Sequence, residues 1–148
     1  MELNYADLSN EIEKKLRKEK GVVLSTCVGN YVTARQMAHL NDGLTVMFST
    51  SVNSLKVAQM RENPAIALTV DNLRMEAIAE LYGHPDGHPT FRKEYAKKFP
   101  LYAKLYKSSP EDLLVICRPV KISLYKYVKG PCEDILVPDE MKAFRTGI

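Results

Sequence analysis

The residues of this chain best suited to chemistry lie between Phe48 and Lys56, in FSTSVNSLK. Ser49, Thr50, Ser51, Asn53 and Ser54 gather side-chain donors there, and Lys56 adds a positive charge. An extended apolar segment, Leu44 to Thr50, leads into this run, and helical spacing follows until Asn63-Pro64 stops it. A strand that empties into a helix start leaves backbone N–H groups without intrahelical partners, and those groups favour an anion. The junction therefore reads as a phosphate cradle. Ser, Thr and Asn are also the ordinary N-cap residues, and the Gly-rich phosphate loop and dinucleotide fingerprint are both missing. A second cation is needed to support the phosphate reading, and Arg35 is the candidate. It lies inside an extended segment, Tyr31 to Met37, where a planar, permanently charged group either faces solvent or reaches a ligand. Two-residue periodicity puts Tyr31, Thr33, Arg35 and Met37 on one face of that segment, and Val32, Ala34 and Gln36 on the other.

Other chemistries are weaker. His84 and His88 stand close together, but Pro85 and Gly87 between them forbid the helix that would align two metal ligands, so no metal site is expected. Cys27, Cys117 and Cys132 are odd in number and widely spaced, which gives neither a metal pair nor a redox pair. Cys27 and Cys117 lie in apolar runs where buried reduced thiols are the default, and a reducing cytoplasm fits them. His39, alone in a turn, reads as solvated. The basic pairs Lys14-Lys15, Arg17-Lys18 and Lys97-Lys98 read as solvated helix faces. The net charge of +3, from 21 Lys and Arg against 18 Asp and Glu, is too small to argue for nucleic acid or a membrane surface. No signal-peptide core and no membrane-spanning apolar run is visible, so a soluble cytoplasmic protein is expected.

The elements that must position Arg35 and Lys56 follow from periodicity. A leading amphipathic helix over about Ala6 to Lys20 is marked by Leu8, Ile12 and Leu16 and stopped by Gly21. Val22 to Val28 and Tyr31 to Met37 form a hairpin across Gly29-Asn30, and Asn41-Asp42-Gly43 turns the chain into the strand that reaches the hydroxyl run. Ala65 to Val70 and Arg74 to Tyr82 pair across Asp71-Asn72. A helix spans about Thr90 to Phe99, breaks at Pro100 and resumes from Leu101 to Lys107. Leu113 to Tyr127 reads as two strand pieces hinged at Arg118-Pro119. The tail from about 128 to 148 holds a short apolar piece, Ile135 to Val137, and a last partial helix from Pro138 to Arg145. Six or seven tightly connected strands with peripheral helices suit a mainly β (α+β), antiparallel barrel occupying residues 1–148 as a single domain.

In this order the motifs resemble the FMN-binding split-barrel family related to pyridoxamine 5′-phosphate oxidase. The resemblance covers roughly Lys14 to Tyr127: the leading helix, VVLSTCVGNYVTARQM, FSTSVNSLKVAQMRENP and the closing strand RPVKISLYKY. It implies a six- to seven-stranded antiparallel split β-barrel that forms a homodimer and binds FMN at the subunit interface. By position, Arg35 and Lys56 would hold the phosphate with Ser49 and Thr50, and Ser51 and Ser54 belong to the same cofactor-binding set. Ala34, Gln36 and Met37 would lie along the isoalloxazine ring, partly through backbone groups, and Tyr125 stands where the family often has tryptophan. FMN's phosphate is close to dianionic near neutral pH, which suits two cations and several hydroxyls.

Two departures separate this chain from the oxidase itself. Leu55 precedes Lys56 where the oxidase often has arginine, and the tail offers only Arg145 in place of an arginine-histidine cluster for a substrate phosphate. The resemblance thus implies a relative rather than the oxidase. The expected function is electron transfer from a reduced nicotinamide through FMN to a small acceptor, with no side chain marked as acid or base. Flavin storage or sensing is the alternative, a flavin-free barrel binding nucleic acid is a third reading, and a deazaflavin or haem in place of FMN stays open.

Overall fold

The structure, a computed structural model, describes residues 1–148. Helix α1 (Tyr5–Lys18) begins where Asn4 accepts the Asp7 N–H on its side chain, and it buries Leu8, Ile12 and Leu16 along one stripe. Strands β1 (Gly21–Val28) and β2 (Tyr31–Ala38) form the expected hairpin, with Val28 opposite Tyr31 and Gly29 at φ +58°. A positive φ at the first turn position is the reason glycine stands there. A three-residue strand, β3 (Leu40–Asp42), pairs with β4 (Thr45–Ser51), and helix α2 (Leu55–Glu62) follows. Strands β5 (Ala65–Val70) and β6 (Leu73–Gly83) pair next, followed by α3 (Phe91–Lys98), α4 (Pro100–Leu105) and the 16-residue β7 (Asp112–Tyr127).

The strands join in the order β2-β1-β5-β6-β7-β4-β3, every pair antiparallel. Strand β7 holds the arrangement together. Its first part, Asp112 to Cys117, pairs with β4, whereas Ile122 to Tyr127 pairs with β8 (Pro131–Val137). The change of partner occurs around Pro119, where the register with β6 slips between Glu76 and Ala77. Proline has no N–H to give a ladder, so a bulge is its natural place in a long strand. The two pieces expected from the sequence are thus one bulged strand.

Nine strands form rather than six or seven. Apart from β3, the additional ones come from the tail, where the expected helix from Pro138 to Arg145 does not form. Pro138–Glu140 makes a single 3₁₀ turn, Met141 takes φ +51°, and β9 (Lys142–Gly147) returns along β8. Cross-strand partners outweigh local helix preference in this segment, because Ala143 reaches the core and Arg145 reaches a buried carboxylate.

The larger core draws side chains from most of the sheet. Residues of β1, β4, β5, β6, β7, β8 and β9 join α1 and α2 in one buried cluster that includes Leu24, Phe48, Leu68, Met75, Val115, Leu124 and Leu136. On the other face of β4 and β7, Met47, Leu114 and Ile116 meet Leu40 from β3 and Phe91 and Phe99 around α3. Buried on both faces, β7 reads as a continuous apolar run for this reason.

Two buried polar groups bind peripheral elements to these cores. His39 is buried and not solvated as the sequence implied; its Nε2 donates to Leu16 O at 2.8 Å, while Lys98 Nζ bonds to His39 O at 2.9 Å. Lys98 therefore fastens α3 to the end of α1 instead of forming part of a solvated face. Burial, followed by the Lys98 charge, pushes the His39 imidazole down to about 4. In the tail, buried Asp134 accepts from Arg145 at 2.6 and 2.9 Å and meets Lys126 Nζ at 2.9 Å. The Arg145 hydrogen bonds hold its carboxyl below the usual range.

Arg145→Ala is expected to lower the midpoint of a chemical denaturation curve, because it leaves a buried carboxylate with Lys126 alone. Acid sensitivity has a definite sign. The unfolded chain protonates His39 near 6.5 and the folded one only near 4, so stability falls by roughly 3 kcal/mol as pH drops through that window. His39→Gln should flatten that limb, while the Asp134 contribution is still lost only at lower pH, as its depressed carboxyl is protonated.

Candidate functional site

The site forms where α2 packs against the β1–β2 hairpin. Register places Thr26 opposite Thr33 and Leu24 opposite Arg35, with both threonines and Arg35 on the side that faces α2. The Arg35 guanidinium donates through Nη1 to Thr26 Oγ1 at 2.8 Å and to Leu24 O at 3.3 Å, and through Nη2 to Thr33 Oγ1. From α2, Gln59 Oε1 accepts from the hydroxyls of Thr26 at 2.6 Å and Thr33 at 2.7 Å. Three residues earlier on the same helix, Lys56 extends its Nζ to Thr50 Oγ1 at 2.9 Å.

The electrostatics are unusual for neighbouring cations. Burial, followed by the nearby Arg35 charge, lowers the Lys56 ammonium from its ordinary range, and burial likewise lowers Arg35. Neither residue forms a salt bridge with a carboxylate. Two half-buried positive charges without an acidic partner fit an anion, and the local backbone adds to that fit. Ser54 stands at the N-cap of α2, but its hydroxyl donates back to Ser51 O at 2.8 Å instead of capping the helix. The first N–H groups of α2 consequently have no side-chain acceptor.

The other hydroxyls expected at the site are distributed differently. Ser51 Oγ accepts the Asn53 N–H at 3.2 Å and shapes the turn. Ser49 pairs with Leu114, and strand alternation turns it to the face that carries Met47, away from Thr50 and Lys56. On β2, Met37 packs against the larger core, while Ala34 and Gln36 lie on the exposed face with Val32. Strand β2 ends the sheet, and a ladder that starts from the two-residue turn leaves Ala34 and Gln36 at non-hydrogen-bonded positions. Their backbone N–H and C=O groups accordingly face the free edge. Tyr125 is elsewhere in the chain. It sits on β7 beside Asn72, with β1, β5 and β6 between it and β2, about 19 Å along the sheet at ordinary strand spacing.

Thr26, Thr33 and Gln59 carry the positioning network without having been singled out from the sequence as site residues. The signals were the two-residue turn, which fixes Thr26 opposite Thr33, and the i, i+3 spacing of Lys56 and Gln59, which puts both on one helix side. Asn63 Nδ2 donates to Cys27 O at 2.9 Å, so the helix-stop residue also fixes the end of α2 to β1. His84 and His88 act as local caps: His84 Nδ1 accepts the Asp86 N–H and His88 Nδ1 accepts the Phe91 N–H, both at 3.1 Å.

The bulged β7, the two cores and the edge strand beside α2 define a split barrel of the kind found in pyridoxamine 5′-phosphate oxidase-related proteins. Solved structures share this fold. A pyridoxamine 5′-phosphate oxidase-related, FMN-binding protein from Nostoc punctiforme is 14% identical, with 97% of this chain and 94% of that one covered and a TM-score of 0.61. General stress protein 26 from Bacillus anthracis is 17% identical over 78% of this chain and 91% of that one, with a TM-score of 0.62. The haem storage protein HutZ from Vibrio cholerae is 13% identical over 72% and 86%, with a TM-score of 0.61. No protein-family model matches the sequence, and no curated protein matches it. The likeness is therefore one of fold, and the fold is the one the motifs resembled.

The electrostatic coupling is open to direct measurement. In ¹³C-detected titration of lysine side chains, Lys56 should lose its proton below the ordinary lysine range, and Arg35→Met should move that titration upward by removing the adjacent like charge. An unchanged Lys56 titration would place the two cations too far apart to share one anion.

Proposed function

We propose that this protein is an FMN-binding flavoprotein, with Arg35 and Lys56 holding the cofactor's phosphate. The observation that carries this reading is the pair of half-buried cations, neither of them in a salt bridge with a carboxylate. Thr50 beside Lys56 and the uncapped start of α2 provide further hydrogen-bonding groups, and Ser51 and Ser54 shape the turn that presents them. The free edge of β2 offers the backbone groups of Ala34 and Gln36 to a flat ring, which needs donors and acceptors in a line.

A homodimer completes the reading. The outer face of the sheet carries small residues, Ser25, Cys27, Ala65 and Ala67, around exposed Val32, Ile78 and Val120. That is a flat apolar surface suited to a second copy. Ala34 and Gln36 border it, and Tyr125 shares the outward side of the sheet, so a second copy could bring its own Tyr125 to the ring that one chain cannot reach. When bound, FMN supplies hydride and single-electron chemistry, and we assign the protein to oxidoreductases that pass electrons from a reduced nicotinamide to a small acceptor. The chain's own residues bind, orient and shield. Arg145, the only arginine of the tail, is engaged by Asp134 and is not offered to a substrate phosphate, which supports a relative rather than the oxidase itself. No helix is long and apolar enough to cross a membrane, and the three free cysteines fit a reducing cytoplasm. A second reading, flavin storage or sensing, is favoured by the lack of a histidine or carboxylate among the groups that hold Arg35 and Lys56.

Purified protein should be yellow, release FMN on heating and sediment as a dimer. Replacing Arg35 and Lys56 together by alanine should weaken FMN binding by about 100-fold in fluorescence titration while shifting the melting point of the flavin-free protein by no more than about 4 °C. Unchanged affinity would place the phosphate elsewhere. Turnover of a reduced nicotinamide with added acceptors separates the oxidoreductase from the storage reading.

A further inference from the structure

We infer that Gln59 is a positioning residue for the phosphate contact: it fixes the direction of the hydrogen bonds that aim Arg35. The inference rests on the FMN reading above for its ligand, and on the network's own geometry for its mechanism. Gln59 Oε1 is an amide carbonyl oxygen and can only accept, yet two hydroxyls lie within hydrogen-bond distance of it, Thr26 at 2.6 Å and Thr33 at 2.7 Å. A threonine hydroxyl has a single hydrogen. With both hydrogens committed to Gln59, both hydroxyl oxygens present only lone pairs to their remaining neighbours, although they stand 3.2 Å apart.

Arg35 is the donor that receives those lone pairs, through Nη1 at Thr26 and Nη2 at Thr33. A guanidinium has five N–H groups in a rigid plane. Fixing one hydrogen on each terminal nitrogen fixes the plane; Nη1 also donates to Leu24 O, so the second Nη2 hydrogen and the Nε–H are left for a ligand. Reversing any link would oppose this. If a threonine hydroxyl turned its hydrogen to the arginine, it would set donor against donor. The amide orientation is itself consistent, since Gln59 Nε2 faces Tyr31 O at 3.5 Å.

Burial makes the direction durable. Gln59 is 3% exposed and Thr26 1%, so neither can exchange these bonds for water at low cost. The placement of Gln59 also couples the two cations mechanically. Lys56 and Gln59 are three residues apart on α2, whose Val57 and Met60 anchor it in the larger core. One helix therefore presents the lysine directly and holds the arginine at second hand.

The test compares FMN with riboflavin, which has the same ring and no phosphate. Gln59→Leu fills a similar volume but removes the acceptor, so the threonine hydroxyls can rotate. It should weaken FMN binding about tenfold and leave riboflavin binding unchanged. Gln59→Glu keeps an acceptor for both threonines and should preserve the fold, but it brings a negative charge next to Arg35; it too should lose affinity for FMN selectively. A merely structural role would weaken FMN and riboflavin together, and that result would overturn the inference. Nitrogen-15 NMR of arginine side chains in the flavin-free protein gives a second, ligand-independent readout. Arg35 should show slow rotation about Cζ–Nη in the parent protein and fast rotation in Gln59→Leu; equal rotation in both would also overturn the inference. If the parent protein binds FMN no better than riboflavin, the phosphate reading fails, while the arginine rotation still decides whether Gln59 positions Arg35.

Discussion

Arg35 and Lys56 repel each other, and no acidic side chain is paired with either. Holding two like charges half-buried and close together requires a scaffold that is stable without them, and the arrangement around them meets that requirement. The hairpin of β1 and β2 is pinned by a two-residue turn, α2 is anchored through Val57 and Met60, and Asn63 binds the far end of α2 to Cys27 O. The cations are thus supported by apolar packing and backbone bonds rather than by attraction to each other. A dianion arriving between them would relieve the repulsion, which is the physical basis of the proposed phosphate site.

The sheet that carries this site depends on β7. A strand buried on both faces must be apolar throughout, and one that serves two neighbours must bend between them; Leu113 to Cys117 provides the first property and Pro119 the second. The same bend opens the sheet to β8 and β9, whose Asp134–Arg145 pair occupies the tail's main cation. Structure and electrostatics agree here, because a cation committed to a buried carboxylate has little capacity left for a ligand.

How much was legible differs by element. Arg35, Lys56 and Asn63-Pro64 stood out because their residue types are unexpected or terminal where they occur, and the resemblance to split-barrel proteins was carried by the same residues. Thr26 and Gln59 did not stand out. A threonine in a strand and a glutamine in a helix are ordinary residues, and their importance comes from meeting each other across the hairpin and helix. His39 was misread for the same reason: a histidine after a strand looks solvated until α3 folds back and places Lys98 against its carbonyl. The last helix failed because Pro138 to Arg145 has local helix signals, whereas its cross-strand partners in β8 are distant in meaning if close in sequence.

The sequence by itself determined the periodicities, the turns at Gly29-Asn30 and Asp71-Asn72, the end of α2, and the presence of one cation in each of two segments. These are local properties, set by side-chain alternation and backbone freedom over a few residues. Tertiary structure decided which hydroxyls face Lys56, that Ser49 turns away, that Tyr125 lies across the sheet from Arg35, and that Gln59 orders the threonines between them. Those outcomes depend on register, burial and the distance between strands that are not neighbours in the chain. Hydrogen-bond direction is the clearest case, since an amide oxygen acquires its role only when two hydroxyls and a guanidinium are brought within reach of one another.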